Sequence, residues 1–131
     1  AVSAPTQFAA ITAYEEDHSE YLNKSKKILH TVAHYVYEQL SQLDIDMIEP
    51  EGGFYLMPDF TRLLSKKFKS SKDLCKTLLD ETGVAVLPGS DFGFPIDKLI
   101  FRLSYVDFNG AEFLKVKDSD ITEENLSNQT L

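Results

Sequence analysis

The chain has 131 residues and a single cysteine, Cys75, so it is long enough for one domain with its own apolar core and cannot form an internal disulfide. Its net charge of −8 excludes nucleic acid and an anionic membrane surface as expected partners, because their phosphates would repel it. No apolar run is long enough to span a membrane, so we expect residues 1–131 to form a single soluble domain in the cytosol.

Two helices are predicted in the first third of the chain. Apolar residues at helical spacing follow Pro5 and predict a helix that ends at about Asp17. Residues 20–43 predict a long helix with Ser19 as a candidate N-cap, since their apolar side chains recur at intervals of three, four and seven. The resulting apolar stripe, which we expect to pack on the rest of the domain, consists of Leu22, Leu29, Val32, Val36, Leu40 and Leu43.

Short strands and helices alternate in the remainder of the chain. Strands are predicted at residues 44–50, 54–57, 84–89 and 99–106, and we expect the strand at 84–89 to be buried. A helix is predicted from Ser70 or Ser71 to a C-cap at Gly83, with short helices in "FTRLLSKKF" and "AEFLKV" and a capping box at Asp120 and Glu123. This order predicts an α+β fold, a small mixed or antiparallel sheet of about four strands with helices on one face.

The predicted strand at 99–106 carries Arg102, one of two arginines beside eleven lysines. Alternation along the strand places the large apolar residues on one face and Arg102 with Ser104 on the other. A guanidinium is a planar fork that can bind a carboxylate through two parallel hydrogen bonds, which an ammonium cannot do. The pattern alone leaves two interpretations open, a carboxylate-binding arginine and a surface arginine paired with one of the many acidic residues.

Three other features offer weaker indications of chemistry. The loop "LPGSDFG", residues 87–93, could hold an anion on its backbone N–H groups, but it lacks the P-loop pattern and a plain turn explains it equally. His30 and His34 have a spacing that can ligate a metal, yet no third ligand is near, so we expect no metal site. Cys75 is interpreted as a small apolar filler, and no nucleophile with a supporting base is found.

Four segments in order resemble the C-terminal part of class I/II aminotransferases, the fold-type-I enzymes that use pyridoxal phosphate. They are "SAPTQFAA", "PEGGFYLMPDF", "TGVAVLPGSDFG" and "FRLSYVDFNGAEFL", which together run from Ser3 to about Leu114. The resemblance implies that Arg102 binds the α-carboxylate of an amino acid substrate.

The resemblance also implies roles for the other two motifs. Gly53 and Phe54 would lie beside the substrate, whereas Tyr55 would point away into packing. Gly89 and Phe92 would shape the turn at residues 87–93 rather than take part in the chemistry.

In such a family the reaction is amino transfer between an amino acid and a 2-oxo acid, carried out by an enzyme that is usually a homodimer. The family's Schiff-base lysine lies upstream of the segment with which this chain begins, and none of the eleven lysines matches it. The chain also begins without a methionine or a secretory signal. We therefore expect the small domain of a larger enzyme, without the large cofactor-binding domain, without catalytic residues or bound pyridoxal phosphate, inactive alone, and with apolar surface exposed.

Two alternatives remain open from the sequence. The chain could be a stand-alone module that binds a carboxylate or a protein partner without catalysis. It could also belong to a related fold-type-I enzyme, a decarboxylase or a synthase.

Overall fold

Six helices and one small sheet make up the structure, a computed structural model that describes residues 2–127. The helices are α1 (Ala4–Glu15), α2 (Ser19–Ser41), α3 (Thr61–Leu64), α4 (Ser71–Thr82), α5 (Gly110–Lys115) and α6 (Glu123–Ser127). The strands are β1 (Tyr55–Leu56), β2 (Leu87–Pro88) and β3 (Phe101–Ser104). This arrangement confirms the predicted α+β class. No helix in the described part of the chain has the length and apolar character needed to cross a membrane.

The sheet has β3 at its centre, antiparallel to β1 on one side and to β2 on the other. It contains three strands rather than the predicted four, because residues 44–50 form only a single bridge, between Asp46 and Asp59. Ile48 in that segment is 88% exposed. Met47 packs only partly buried against the cluster of Ala33, Leu56 and Tyr105. A segment with so little buried apolar surface has little to hold it in register, so the predicted strand does not extend beyond the bridge.

The second correction concerns the predicted buried strand at residues 84–89. Only Leu87 and Pro88 pair with β3, and Leu87 is 47% exposed. Because β2 pairs with a strand on one side only, it is an edge strand, and its apolar residues are not enclosed between two neighbouring strands. Gly89 follows it at a point where the chain passes close to Ile100, and its N–H donates to the Ile100 carbonyl at 2.7 Å.

The core lies between one face of the sheet and the helices. Leu99, Phe101 and Tyr105 are buried on that face, which confirms the apolar side predicted for the strand. Helix α4 packs there through Leu74 and Cys75. Helix α2 packs beside it through a cluster that includes Ala33, Leu56 and Tyr105, and its earlier turns pack on Phe113 of α5 and on Ile121. Burying each large apolar side chain stabilises the fold by about 1.5–3 kcal/mol.

Helix α4 follows the predicted capping chemistry at both of its ends. Ser70 accepts a hydrogen bond from the Asp73 N–H at 3.1 Å, and Gly83 ends α4 with a positive φ of 75°. Helix α2 begins at Ser19, one residue earlier than predicted, so Ser19 is not its N-cap; the Ser19 N–H donates instead to the Asp17 carboxylate at 2.9 Å.

The two N-terminal helices leave apolar surface exposed. Helix α1 contains no buried residue, and Phe8 and Tyr14 are 71% and 90% exposed. The predicted stripe of α2 is packed at its centre, but its two ends, Leu22 and Leu43, are about half exposed. The predicted capping box of Asp120 with Glu123 is wrong: the Thr122 hydroxyl accepts the Asn125 N–H at the start of α6, at 3.3 Å.

We predict that Gly89→Ala destabilises the fold by about 1–3 kcal/mol, because the new Cβ would lie 2.9 Å from the Ile100 carbonyl oxygen, closer than packing allows. Gly52→Ala is the matched control, since no atom lies within 4 Å of a Cβ there. Urea denaturation of both variants measures the difference in free energy of unfolding. Equal midpoints for the two variants would contradict the close approach at Gly89.

We also predict that α6 is held to α2 more firmly at low pH than at high pH. The His34 Nδ1 lies 2.6 Å from the Glu123 Oε1, and this hydrogen bond, with smaller contributions from Glu38 and Glu49, raises the pKa of His34 above its ordinary value. A raised pKa means that the contribution to stability is full below the ordinary pKa and is lost as the pH rises through the raised pKa.

An NMR titration of the imidazole resonances measures this effect. Glu123→Gln should lower the pKa of His34, because the group that raises it most is neutralised. An unchanged His34 titration in Glu123→Gln would show that the hydrogen bond does not form.

Candidate functional site

The face of β3 that points away from the helices carries Arg102 in contact with two aromatic rings. The guanidinium carbon Cζ lies 4.2 Å from the centre of the Tyr55 ring and 4.5 Å from the centre of the Phe92 ring. Both distances are within the range of a cation–π contact. We call these three residues the arginine stack.

The two rings of the arginine stack lie on the same face of the sheet but come from the two strands that flank β3. Tyr55 lies on β1 directly opposite Ser104, so its side chain shares the face of Arg102. Phe92 ends the 3-10 turn, Gly89–Phe92, that follows β2. The implied orientation of Tyr55, away into packing, is therefore wrong: Leu56 takes the core-facing position and Tyr55 is 40% exposed.

The two arginines have different electrostatic surroundings. Arg62 pairs with Asp44 at 2.7 Å and with Asp46 at 3.5 Å. Arg102 is half-buried and pairs with no carboxylate among residues 2–127. Ring contacts cover the faces of a guanidinium, whereas its N–H donors point outward in its plane. Arg102 therefore keeps its donors free of ion pairs within the described chain, which disfavours the surface ion pair that the sequence left open.

The residues just before β1 lie next to the arginine stack. The Phe54 ring contacts the Tyr55 ring with centres 4.3 Å apart and is 40% exposed. Gly53 has a positive φ of 73°, and its carbonyl accepts a hydrogen bond from the Tyr105 hydroxyl at 3.0 Å. That bond fixes the turn before β1 to Tyr105, the buried residue that follows β3.

Gly53 also lines a groove of about 270 Å³ that lies on the helix side of the sheet, beside α2. Arg102 is not among the residues that line it, so the structure does not bring Gly53 and Arg102 into one cavity. Lining residues from α2 include Lys26 and His30. The sequence-predicted set is thus connected through Phe54 and Tyr55 rather than through a shared pocket.

The remaining candidates behave as structural elements. The N–H groups of Gly89, Gly93 and Phe94 bond to backbone carbonyls of this loop or of Ile100, which favours a plain turn over an anion cradle. No group of three or more side chains that could hold a metal ion occurs within residues 2–127. Cys75 is buried, and burial raises the pKa of its thiol, consistent with an unreactive core residue.

The comparisons with known proteins agree on one family. The family model for aminotransferase class I and II matches residues 1–112. An aspartate aminotransferase from Bacillus sp. strain YM-2 is 34% identical over 102 residues, which are 76% of this chain and 25% of that protein. A probable aspartate/prephenate aminotransferase from Aquifex aeolicus is 33% identical over 106 residues, 79% of this chain and 26% of that protein.

The fold itself is similar to solved members of the same group. An aromatic aminotransferase from Pyrococcus horikoshii superposes with a TM-score of 0.65 at 26% identity, over 93% of this chain and 31% of that one. The chain spans about a quarter of the length of the curated relatives it matches. Sequence and fold agree over most of the chain, which belongs to the aminotransferase class I and II family.

Proposed function

We propose that this chain is the C-terminal small domain of a pyridoxal-phosphate aminotransferase and that Arg102 binds the α-carboxylate of the amino acid substrate. The observation that carries the proposal is the contrast between the two arginines. Arg62 has its donors engaged by two aspartates, whereas Arg102 contacts two aromatic rings and pairs with no carboxylate within residues 2–127. A half-buried guanidinium without an internal partner is suited to a carboxylate ligand from outside.

A two-point contact with Arg102 would do more than supply affinity. The planar fork fixes the carboxylate and therefore the direction of the bonds at the substrate Cα. The same contact serves an amino acid and a 2-oxo acid, because both carry the carboxylate. We propose that Phe54 and Gly53 lie beside the bound substrate, since the Phe54 ring is exposed next to Tyr55 and no atom lies within 4 Å of a Cβ at Gly53.

The family uses pyridoxal phosphate, which acts as an electron sink at the substrate Cα when it is bound. The residues of this chain do not fit that cofactor by themselves. A Schiff-base lysine needs a site shielded from water, yet every lysine here is exposed except Lys24, which is half-buried and lies 3.9 Å from Asp118. We therefore propose that the cofactor and the catalytic lysine are held by residues outside this chain, so that the chain alone is inactive.

The exposed apolar side chains of α1 support a partner for this domain. Phe8, Ile11 and Tyr14 lie on a helix that buries nothing. Contiguous apolar surface of this kind commonly marks an interface. We propose that the large domain of the same polypeptide covers it, and that the complete enzyme is a homodimer. We keep the cytosol as its location, because the single thiol, Cys75, is buried and needs no oxidising compartment.

The names of the relatives favour amino transfer over the alternatives of a decarboxylase, a synthase or a binding module. The matching proteins from Bacillus and Aquifex are both named as aminotransferases. We accordingly propose an amino acid and a 2-oxo acid as the substrates.

We predict that Arg102→Lys in the complete enzyme lowers kcat/KM for its amino acid substrate by about tenfold to a hundredfold, because one of two charge-assisted hydrogen bonds is lost. The charge is retained, so the loss reports the geometry of the fork. Steady-state kinetics with L-aspartate, the substrate named in the relatives, and then with the other standard amino acids provide the measurement.

Arg62→Lys is the matched control, because it makes the same exchange at an arginine that already pairs with two aspartates. It should leave kcat/KM within about twofold of the unmodified enzyme, since exposed ion pairs contribute little to stability. Equal kinetics for Arg102→Lys and the unmodified enzyme would contradict the proposed role.

A further inference from the structure

We propose that Tyr55 and Phe92 are positioning residues for Arg102: the two rings hold the guanidinium plane so that its N–H donors face a substrate carboxylate. The inference rests on the proposed function, since it assigns a role to the neighbours of the proposed carboxylate-binding group.

The geometry gives the guanidinium two restraints from different parts of the fold. Tyr55 reaches it from β1, and Phe92 reaches it from the turn after β2, so the two rings approach from strands on opposite sides of β3. The distances of 4.2 Å and 4.5 Å are nearly equal. A planar cation between two rings keeps its orientation while its in-plane donors stay uncovered.

Nothing else among residues 2–127 restrains the Arg102 side chain in this way. It has no ion pair there, in contrast to Arg62. An arginine side chain has many rotamers, and part of that rotamer entropy is lost when it binds a ligand. Because the rings restrict the side chain beforehand, less of that cost remains to be met when the carboxylate binds.

Each ring is itself held by the local structure. The turn that presents Phe92 is closed by the Phe94 N–H, which donates to the Gly89 carbonyl at 3.2 Å, and by an ion pair between Lys72 and Asp91 at 3.5 Å. Tyr55 is held by its pairing with Ser104. Rings on supported elements can orient a third group, whereas freely rotating rings cannot.

The exposure of the rings argues against a purely structural role. Tyr55 is 40% exposed and Phe92 is 41% exposed, so neither belongs to the core. Phe94 is equally exposed and lies two residues beyond Phe92, but it does not stack on the guanidinium. It therefore provides a comparison between an exposed ring with the contact and an exposed ring without it.

The test uses the complete enzyme and the standard amino acid that it converts fastest. Tyr55→Leu and Phe92→Leu keep apolar volume but remove the ring, and each should raise KM by roughly threefold to tenfold with a smaller change in kcat. Tyr55→Phe retains the ring and should recover most of the KM lost in Tyr55→Leu. Phe94→Leu should leave KM within about twofold.

A double-mutant cycle separates positioning from a loss of folding. In an Arg102→Lys background, Tyr55→Leu and Phe92→Leu should cost much less in KM, because the group that they orient is already absent. A structural effect would instead cost the same in both backgrounds. Equal costs in the two backgrounds, or leucine variants no worse than Phe94→Leu, would overturn the positioning role.

The outcome also shows which proposal has failed. If Arg102→Lys itself leaves the kinetics unchanged, the carboxylate role of Arg102 is wrong and the positioning role falls with it. If Arg102→Lys lowers kcat/KM and the ring substitutions do nothing, only the positioning role is wrong.

Discussion

The contact of one guanidinium with two aromatic rings is the interaction on which the candidate site depends. Arg102 would be a mobile surface cation if β3 did not present it and if Tyr55 and Phe92 did not flank it at 4.2 Å and 4.5 Å. The stack requires three strands in one antiparallel register, because the two rings arrive from the two neighbours of β3. The pairing of the three strands therefore determines where the three side chains of the arginine stack lie.

The same strand also builds the core. Side chains alternate along β3, so the face with Leu99 and Phe101 is buried under α4 while Arg102 faces the other way. Gly89 allows the chain after β2 to pass against Ile100, and this close approach brings the turn that carries Phe92 to the edge of the sheet. One face of β3 thus packs in the core and the other carries Arg102, so the packing that fixes the strand also positions the arginine.

Local patterns in the sequence predicted the elements whose signals are local. Helix α4 was predicted with both of its ends, because Ser70 and Gly83 act on their own backbone neighbours. The faces of the Arg102 strand followed from alternation alone. The resemblance also led to the correct family. The features that the sequence did not predict depend on which segments pair. They are the single bridge at Asp46, the edge position of β2, and the face of the sheet on which Tyr55 lies. The roles of Arg102, Gly53 and Phe54 stay predictions until a ligand is observed.

A crystal structure of the complete enzyme with a bound, unreactive amino acid analogue tests the central claim most directly. The account predicts that two in-plane N–H donors of Arg102 lie within about 3.2 Å of the two oxygens of the α-carboxylate. The rings of Tyr55 and Phe92 should remain stacked on the guanidinium in that complex. An α-carboxylate held by another cation, with Arg102 out of contact, would contradict the account.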